Sequence, residues 1–345
     1  MGQIFLYFGG PSGLATSPAA TISGPSGATQ FGSVMSSAGD VNCDGYADVV
    51  FGAPHETPAG AQQFSGEAYV YFGGPNGLPA TPSWTFVGYE DEGQFGGSVA
   101  AAGDVNGDGC GDLIVGGRAM VGGVAQAVTI FLGSRSGLSE SSSLGLPGAV
   151  NVDAVAGAGD VNGDGYADVI VGDEVAGGSA TTSPGNALIY LGGPKGLANP
   201  SGPAPASATL SGADSNGSFG ASVASAGDVT GEGYSDVVVW AWGNSFTGAV
   251  YVFYGGPDGI PTAESTQASA TLLGPANVSY YGNSLASAGR LDNSGDSTLV
   301  VGCSACDGGS GQVFLFRGNG VFGPGSAATT LTGSTANGAF GQGVY

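Results

Sequence analysis

Three observations predict an all-β fold, a β-propeller of four-stranded blades. Two motif series recur along the chain and interleave, each period holds four short strand-like runs separated by Gly-rich turns, and no stretch sustains a helical period beyond two turns. The first series reads FGGPSGL at Phe8, FGGPNGL at Phe72, LGSRSGL at Leu132, LGGPKGL at Leu191 and YGGPDGI at Tyr254. The second is an acidic loop followed by an apolar run; its starts, at Asp40, Asp104, Asp160, Asp228 and Arg290, lie 56 to 68 residues apart.

Within the first full period the strands fall at roughly Phe31–Ala38 (A), Ala47–Ala53 (B), Ala68–Gly73 (C) and Trp84–Val87 (D). Alternation in EAYVYFGG and the β-branched run of ADVIVG mark C and B as strands. Antiparallel strands repeated around an axis bury their faces against neighbouring blades. The predicted organisation is one domain over 1–345, with complete blades at 31–94, 95–151, 152–218, 219–280 and 281–339. Residues 1–30 supply the C and D strands of a partial or closing blade, and 340–345 begin the next. A composite sixth blade would lack its B strand and acidic loop, about 30 residues by repeat arithmetic. A fragment or truncated gene, forming a nearly closed six-bladed ring, is the expectation.

Seventy Gly and 18 Pro among 345 residues would fit disorder, but 41% hydrophobic residues and a mean hydropathy of +0.18 predict a folded, turn-rich chain. Five Lys and Arg stand against 27 Asp and Glu, a formal charge of −22. That balance argues against nucleic acid and anionic membrane surfaces as partners, and the local clustering of carboxylates points to bound cations. No apolar run approaches the ~18 residues of a membrane span, so no membrane insertion is expected, and no signal peptide is visible. Cys303 and Cys306 form one C-x-x-C; with no second such pair to complete a zinc site, a local disulfide or two free thiols is expected, with Cys43 and Cys110 left unassigned.

The run QFGGSVAAAGDVNGDG, with FGAP at Phe51–Pro54 and the recurring GGPxGL, resembles the FG-GAP repeat of integrin α-subunit heads and related bacterial surface proteins. The resemblance covers nearly the whole chain. It implies a propeller of FG-GAP blades, usually seven, with calcium in the A–B loops and extracellular or cell-surface adhesion or ligand binding as its role. This chain departs from that pattern in having five complete periods.

The loop chemistry supports calcium independently. In DVNGDGYAD, oxygen ligands alternate at positions 1, 3 and 5, a backbone carbonyl serves at 7, a carboxylate returns at 9, and Gly at 6 permits the tight turn. The candidate ligands are Asp40, Asn42, Asp44, the Tyr46 carbonyl and Asp48; Asp104, Asn106, Asp108, the Cys110 carbonyl and Asp112; and Asp160, Asn162, Asp164, the Tyr166 carbonyl and Asp168. A fourth set, Asp228, Thr230, Glu232, Tyr234 and Asp236, predicts weaker binding. Position 12, where an EF-hand places Glu, holds Phe51, Val115, Val171 and Val239, so these are hairpin loops of another kind. The fifth loop has Arg290, Ser294 and Thr298 at positions 1, 5 and 9 and loses the cage; Arg290 is expected to supply the positive charge, to Asp292 or Asp296. Two carboxylates 4 Å apart repel by about 4 kcal/mol at an effective dielectric near 20, so cation-free loops should fray. The bland alternative is an Asn-Gly or Asp-Gly hairpin without metal.

Up-and-down strands put the calcium loops and GGPxGL turns on one face and the varied B–C and D–A connections on the other, where recognition is expected. Candidates there are Trp240 and Trp242, either for stacking on a sugar or anchoring a protein or, equally, for packing between blades; His55, Arg118, Asp173 and Glu174 at B-strand exits; and an acidic rim of Tyr89, Glu90, Asp91 and Glu92. A lone His55 without a nucleophile motif argues against a catalytic triad. The expected function is a calcium-stabilised adhesion or binding propeller taking an extracellular protein or glycan ligand, not an enzyme; the alternative is a module, catalytic or not, of a secreted carbohydrate-active or other hydrolytic enzyme.

Overall fold

The computed structural model describes residues 2–11, 13–25, 30–89, 91–118, 128–143, 152–174, 183–197, 205–214, 217–242, 248–275, 278, 280–291, 295–318, 327 and 329–344. These contain strands, two short 3₁₀ turns at Ser265–Gln267 and Asp307–Gly309, and no α-helix. The chain divides into two compact units, Met1–Asp104 with Asp108–Ser143, and Val105–Gly107 with Leu144–Tyr345.

The first unit holds two four-stranded antiparallel sheets: Val34–Gly39, Asp48–Ala53, Glu67–Tyr71 and Trp84–Val87, then Ser98–Gly103, Asp112–Gly116, Val128–Leu132 and Ser139–Ser143. Ahead of them Gln3–Leu6 pairs with Ala20–Ser23, the predicted C and D strands of a partial blade. The second unit holds three sheets of the same order. They are Ala154–Gly159, Asp168–Asp173, Asn186–Tyr190 and Ala208–Ser211; Ser222–Gly227, Asp236–Ala241, Ala249–Phe253 and Ala270–Leu273; and Tyr281–Ser287, Thr298–Cys303, Gln312–Arg317 and Thr329–Thr332. Ala263–Glu264 adds a fifth, parallel strand beside Ala208–Ser211, which the repeat pattern did not announce.

Each B strand is a continuous β-branched run because it lies between A and C with both faces covered: Asp112–Gly116, Asp168–Asp173 and Asp236–Ala241 are buried throughout. The A strands, half-buried and built of Ser, Ala and Val, begin later than the sequence predicts. Phe31 is buried against Phe51 and Tyr69, but Gly32 turns the chain at φ 76° before the strand starts at Val34.

At the end of the A strand the ladder slips by one residue. Ser37 pairs with Val49 but Gly39 with Asp48, and the same slip recurs at Gly157 to Gly159 and Ser225 to Gly227. The extra residue is a buried Ala (Ala38, Ala158, Ala226), and the following Gly takes positive φ, 76° at Gly39. This β-bulge explains the recurring Ala-Gly-Asp: it bends the strand and aims the first aspartate into the loop.

Candidate metal centre and loop face

The bulge delivers Asp40 to a loop organised by backbone amides. Its Oδ1 accepts the Asp44 N–H at 3.0 Å and its Oδ2 the Gly45 N–H at 2.9 Å. Asp104 takes the amides of Asp108 and Gly109 in the same way, Asp160 those of Asp164 and Gly165, and Asp228 those of Glu232 and Gly233. Asn42 and Asn162 accept the Asp44 and Asp164 N–H at 3.1 Å, and Asp44 and Asp164 in turn accept the Tyr46 and Tyr166 N–H. In the fourth loop the Thr230 hydroxyl donates to Asp228 Oδ1 at 3.3 Å.

Position 9 does something the sequence did not reveal. Asp48 is fully buried and spans two elements: Oδ2 accepts the Val41 N–H at 2.9 Å, and Oδ1 accepts the Gly73 N–H at 2.7 Å from the start of the C–D turn. Asp168 holds Val161 and Gly192, Asp236 holds Val229 and Gly255, and Asp112 takes Gly133. The first Gly of four of the five GGPxGL-type turns, Gly73, Gly133, Gly192 and Gly255, is therefore a partner of the acidic loop of its own sheet. The equal recurrence of the two series was the available signal. Burial pushes the carboxyls of Asp168 and Asp236 up to about 6; the two amides pull them down, and the acids at positions 1 and 5 push them further up. Burial raises Asp48 as well.

The donor set fits a hard divalent cation: carboxylate, amide and carbonyl oxygens at alternate positions, with a desolvated aspartate facing like charges. An ionised carboxylate has about four lone-pair sites, so those bonded to one N–H per oxygen keep acceptor capacity. Among the described residues, no three His, Cys, Asp or Glu side chains are gathered at metal-holding distance. The loops present oxygen donors of the kinds a hard cation takes, on a frame held by backbone amides. In the fifth loop Asp292, Asn293 and Ser294 lie outside the described residues, so the suggested pairing of Arg290 with Asp292 does too. Leu291 there is 55% exposed where Val41, Val105, Val161 and Val229 are fully buried.

All four cysteines are paired. Cys303–Cys306 is the local disulfide, and Cys43–Cys110, with Cα atoms 5.2 Å apart, joins the first acidic loop to the second. The signal for it was that both residues break the repeat, Cys43 at a Gly position and Cys110 at a Tyr position.

On the opposite side of the sheets the candidates separate. Trp240 is 6% exposed and donates its indole N–H to the Tyr281 carbonyl at 2.6 Å, which is the packing role expected as the alternative and not a ligand platform. Sibling sheets hold Gly at this position because a Cβ on Gly52 or Gly172 would collide with the carbonyl of Gly96 or Gly220. Trp240 fits because the register of the next A strand slips between Tyr281 and Leu285. Trp242 is half-buried in the same cluster, its ring 5.0 Å from the exposed Tyr280. His55 is exposed, with Nδ1 2.6 Å from Gln30 Oε1, and the Glu174 N–H donates to Asp153 at 3.1 Å. Two candidates do meet: the exposed Tyr89 and Arg118 line one small recess with Ser65, Phe86 and Phe95. A second cleft of about 390 Å³ lies between Pro58–Gln62 and Val87–Tyr89. Glu90 and the loops at 119–127, 175–182 and 243–247 lie outside the described residues. No helix among the described residues is long and apolar enough to cross a membrane.

Comparison with known proteins matches this architecture. The FG-GAP repeat family matches residues 31–71, and the FG-GAP-like repeat family matches 104–171. Integrin alpha-5 of Xenopus laevis is 37% identical over 186 residues, 50% of this chain and 17% of that protein. Integrin alpha-E of Mus musculus is 37% identical over 123 residues, 34% of this chain and 10% of that protein. Phosphatidylinositol-glycan-specific phospholipase D of Bos taurus is 32% identical over 205 residues, 55% of this chain and 24% of that protein. The chain thus spans a quarter or less of the length of these relatives. The chain is thus similar to the FG-GAP repeat families over residues 31–71 and 104–171, and to an integrin α-subunit over half of its own length.

Proposed function

We propose that the chain is a calcium-stabilised adhesion or binding module, acting outside the cell and recognising a protein or glycan through the connections opposite its acidic loops. The observation that carries this reading is the fully buried aspartate at position 9 of four loops. At Asp48, Asp168 and Asp236 it faces the acids at positions 1 and 5 while its two oxygens accept backbone N–H groups. A divalent cation would neutralise that group of charges, held by Asp40, Asn42, Asp44, the Tyr46 carbonyl and Asp48 in the first loop and by their equivalents in the next three. Similarity to integrin α-subunits supports the extracellular and adhesive parts. Two disulfides fit an oxidising compartment. On the recognition side, Tyr89 and Arg118 beside the 390 Å³ cleft offer a ring face, a hydroxyl and a guanidinium to a ligand.

Thermal melting of the full chain with calcium and with a chelator tests the structural half. Calcium at ten times its dissociation constant should add about 1.4 kcal/mol per filled site, and a melting temperature unchanged by chelation overturns the cation reading. A protein and glycan screen of the calcium-loaded chain, repeated with Tyr89→Ala and Arg118→Ala, tests the other half.

A second reading, a module of a secreted hydrolytic enzyme, draws on the phospholipase D similarity and on one cleft. Glu67, raised by burial and by the charge of Glu56, lines an opening of about 490 Å³ with Tyr69, whose hydroxyl donates to it. Hydrolysis of a phosphodiester or glycoside substrate that disappears in Glu67→Gln would favour this reading over the first.

A further inference from the structure

Successive acidic loops meet through two fixed positions. In the second unit, a Cβ placed on Gly163, position 4 of its loop, would lie 2.7 Å from Cε1 of Tyr234, position 7 of the next. Gly107 stands in the same relation to Tyr166, again at 2.7 Å. The bare Gly is thus a seat for the following Tyr ring. A backbone bond closes the same seam: the Ser235 N–H, one residue after Tyr234, donates to the Asp160 carbonyl at 2.8 Å.

In the first unit the seam keeps its backbone bond, from the Gly111 N–H to the Asp40 carbonyl at 2.8 Å, but exchanges both side-chain positions. Cys43 replaces the Gly, Cys110 replaces the Tyr, and the two are bonded. Neither exchange works alone. A Cβ at position 4 would strike a Tyr ring, and a Cys opposite Gly would leave the ring's volume empty. Each sulfur also sits inside a proposed cation site. Cys43 lies between Asn42 and Asp44, and Cys110, whose N–H donates to Asp108 Oδ1 at 2.9 Å, offers its carbonyl as a donor.

We infer that the Cys43–Cys110 disulfide is a positioning link that holds the first and second acidic loops in cation-binding shape, so that its reduction weakens calcium binding at both. This rests on the cation reading above. The step is a two-electron reduction: an external dithiol gives two electrons and two protons, two protein thiols form, and the dithiol becomes its own disulfide. Half-buried Cys43 gives the reductant its approach. The Gly–Tyr seams contain no sulfur, so the third loop keeps its affinity.

Calcium titration calorimetry on the full chain, with and without dithiothreitol, tests the link. A Cys303→Ala/Cys306→Ala background removes the other disulfide. Reduction should lower affinity about fivefold at two sites, the cost of ordering loops that were preorganised, and leave the third unchanged. Cys43→Ser/Cys110→Ser should reproduce the loss without reductant. Cys43→Gly/Cys110→Tyr, which rebuilds the seam used elsewhere, should restore the affinity and make it indifferent to dithiothreitol. Equal affinities in oxidised, reduced and Ser-substituted protein would overturn the inference and leave the cation reading standing. Absence of calcium binding by the oxidised chain would overturn both.

Discussion

The third acidic loop and the fifth occupy the same place in their sheets; the fifth has Arg290, Ser294 and Thr298 where the third has Asp160, Asp164 and Asp168, and only the last of these aspartates is fully buried. Asp168 joins the loop amide of Val161 to the turn amide of Gly192, whereas Thr298, its counterpart, has its backbone N–H on Gly289 and its carbonyl on Ala288. Val161 is fully buried and Leu291 is 55% exposed. Where position 9 is the aspartate, the loop and the turn are clamped to it and the apolar second residue is buried; where it is Thr298, neither holds. Because both oxygens of Asp168 accept backbone N–H groups, one from the loop and one from the turn, it belongs to the fold as much as to the proposed cation site.

The largest effect should come from breaking the clamp. Asp168→Ala leaves two buried N–H groups without their acceptor and should cost about 3 kcal/mol in urea unfolding, since hydrogen bonds to charged groups are the strong ones. Thr298→Ala should cost less than about 1 kcal/mol, because no charged acceptor is lost. Equal losses at the two positions would mean that the clamp is not what distinguishes the loops.

Much of this comparison was legible in the sequence. Period, strand order and loop starts were, because a β-rich run followed by alternating Asp and Gly has few other foldings. The alternation of Asp, Asn and Asp named the loop residues, but not the second partner of Asp48 or Asp168, which comes from a turn 24 to 25 residues later. Trp240 stayed open between a ligand platform and blade packing for a related reason. Replacing Gly with Trp at a strand exit looks like an exposed platform until the register slip at Tyr281–Leu285 in the following sheet makes room for it. Cys43 and Cys110 are 67 residues apart and become neighbours only because equivalent loop positions stack. What one period contains was readable; what one period does to the next was not.

A smaller effect contrasts two loop positions and not two loops: Gly163 is position 4 of the third loop and Gly295 position 6 of the fifth, where the third loop's Gly165 also faces open space. Gly163 and Gly295 both have positive φ, 73° and 96°, but a Cβ meets the Tyr234 ring at the first and open space at the second. Gly295→Ala should therefore cost only the backbone term, about 1 kcal/mol, while Gly163→Ala should cost about 2 kcal/mol because the ring must also move. Gly163→Ala combined with Tyr234→Ala should recover the difference, and a double mutant no better than the sum of the singles would remove the seat from the account.

The smallest effect is a pH dependence whose sign separates metal-free from metal-bound loops. Burial holds the carboxyls of Asp168 and Asp236 at about 6 in the folded, cation-free chain, above the ordinary aspartate value near 4. Between those values the folded state carries more protons than the unfolded one, so unfolding free energy falls as pH rises. The contribution is fully present below pH ~4 and lost as pH climbs through about 6, on the order of 1 kcal/mol per group once solvent screening is allowed for. In chelator, then, the urea midpoint should be higher at pH 5 than at pH 7.5, and Asp168→Asn with Asp236→Asn should flatten the slope. A bound divalent cation favours the ionised carboxylates and pulls the same groups below their unfolded values, so with calcium the slope should reverse. A chelated protein that gains stability between pH 5 and pH 7.5 would show that these aspartates are already charge-compensated without metal, and the reason for a cation at the four loops would go with it.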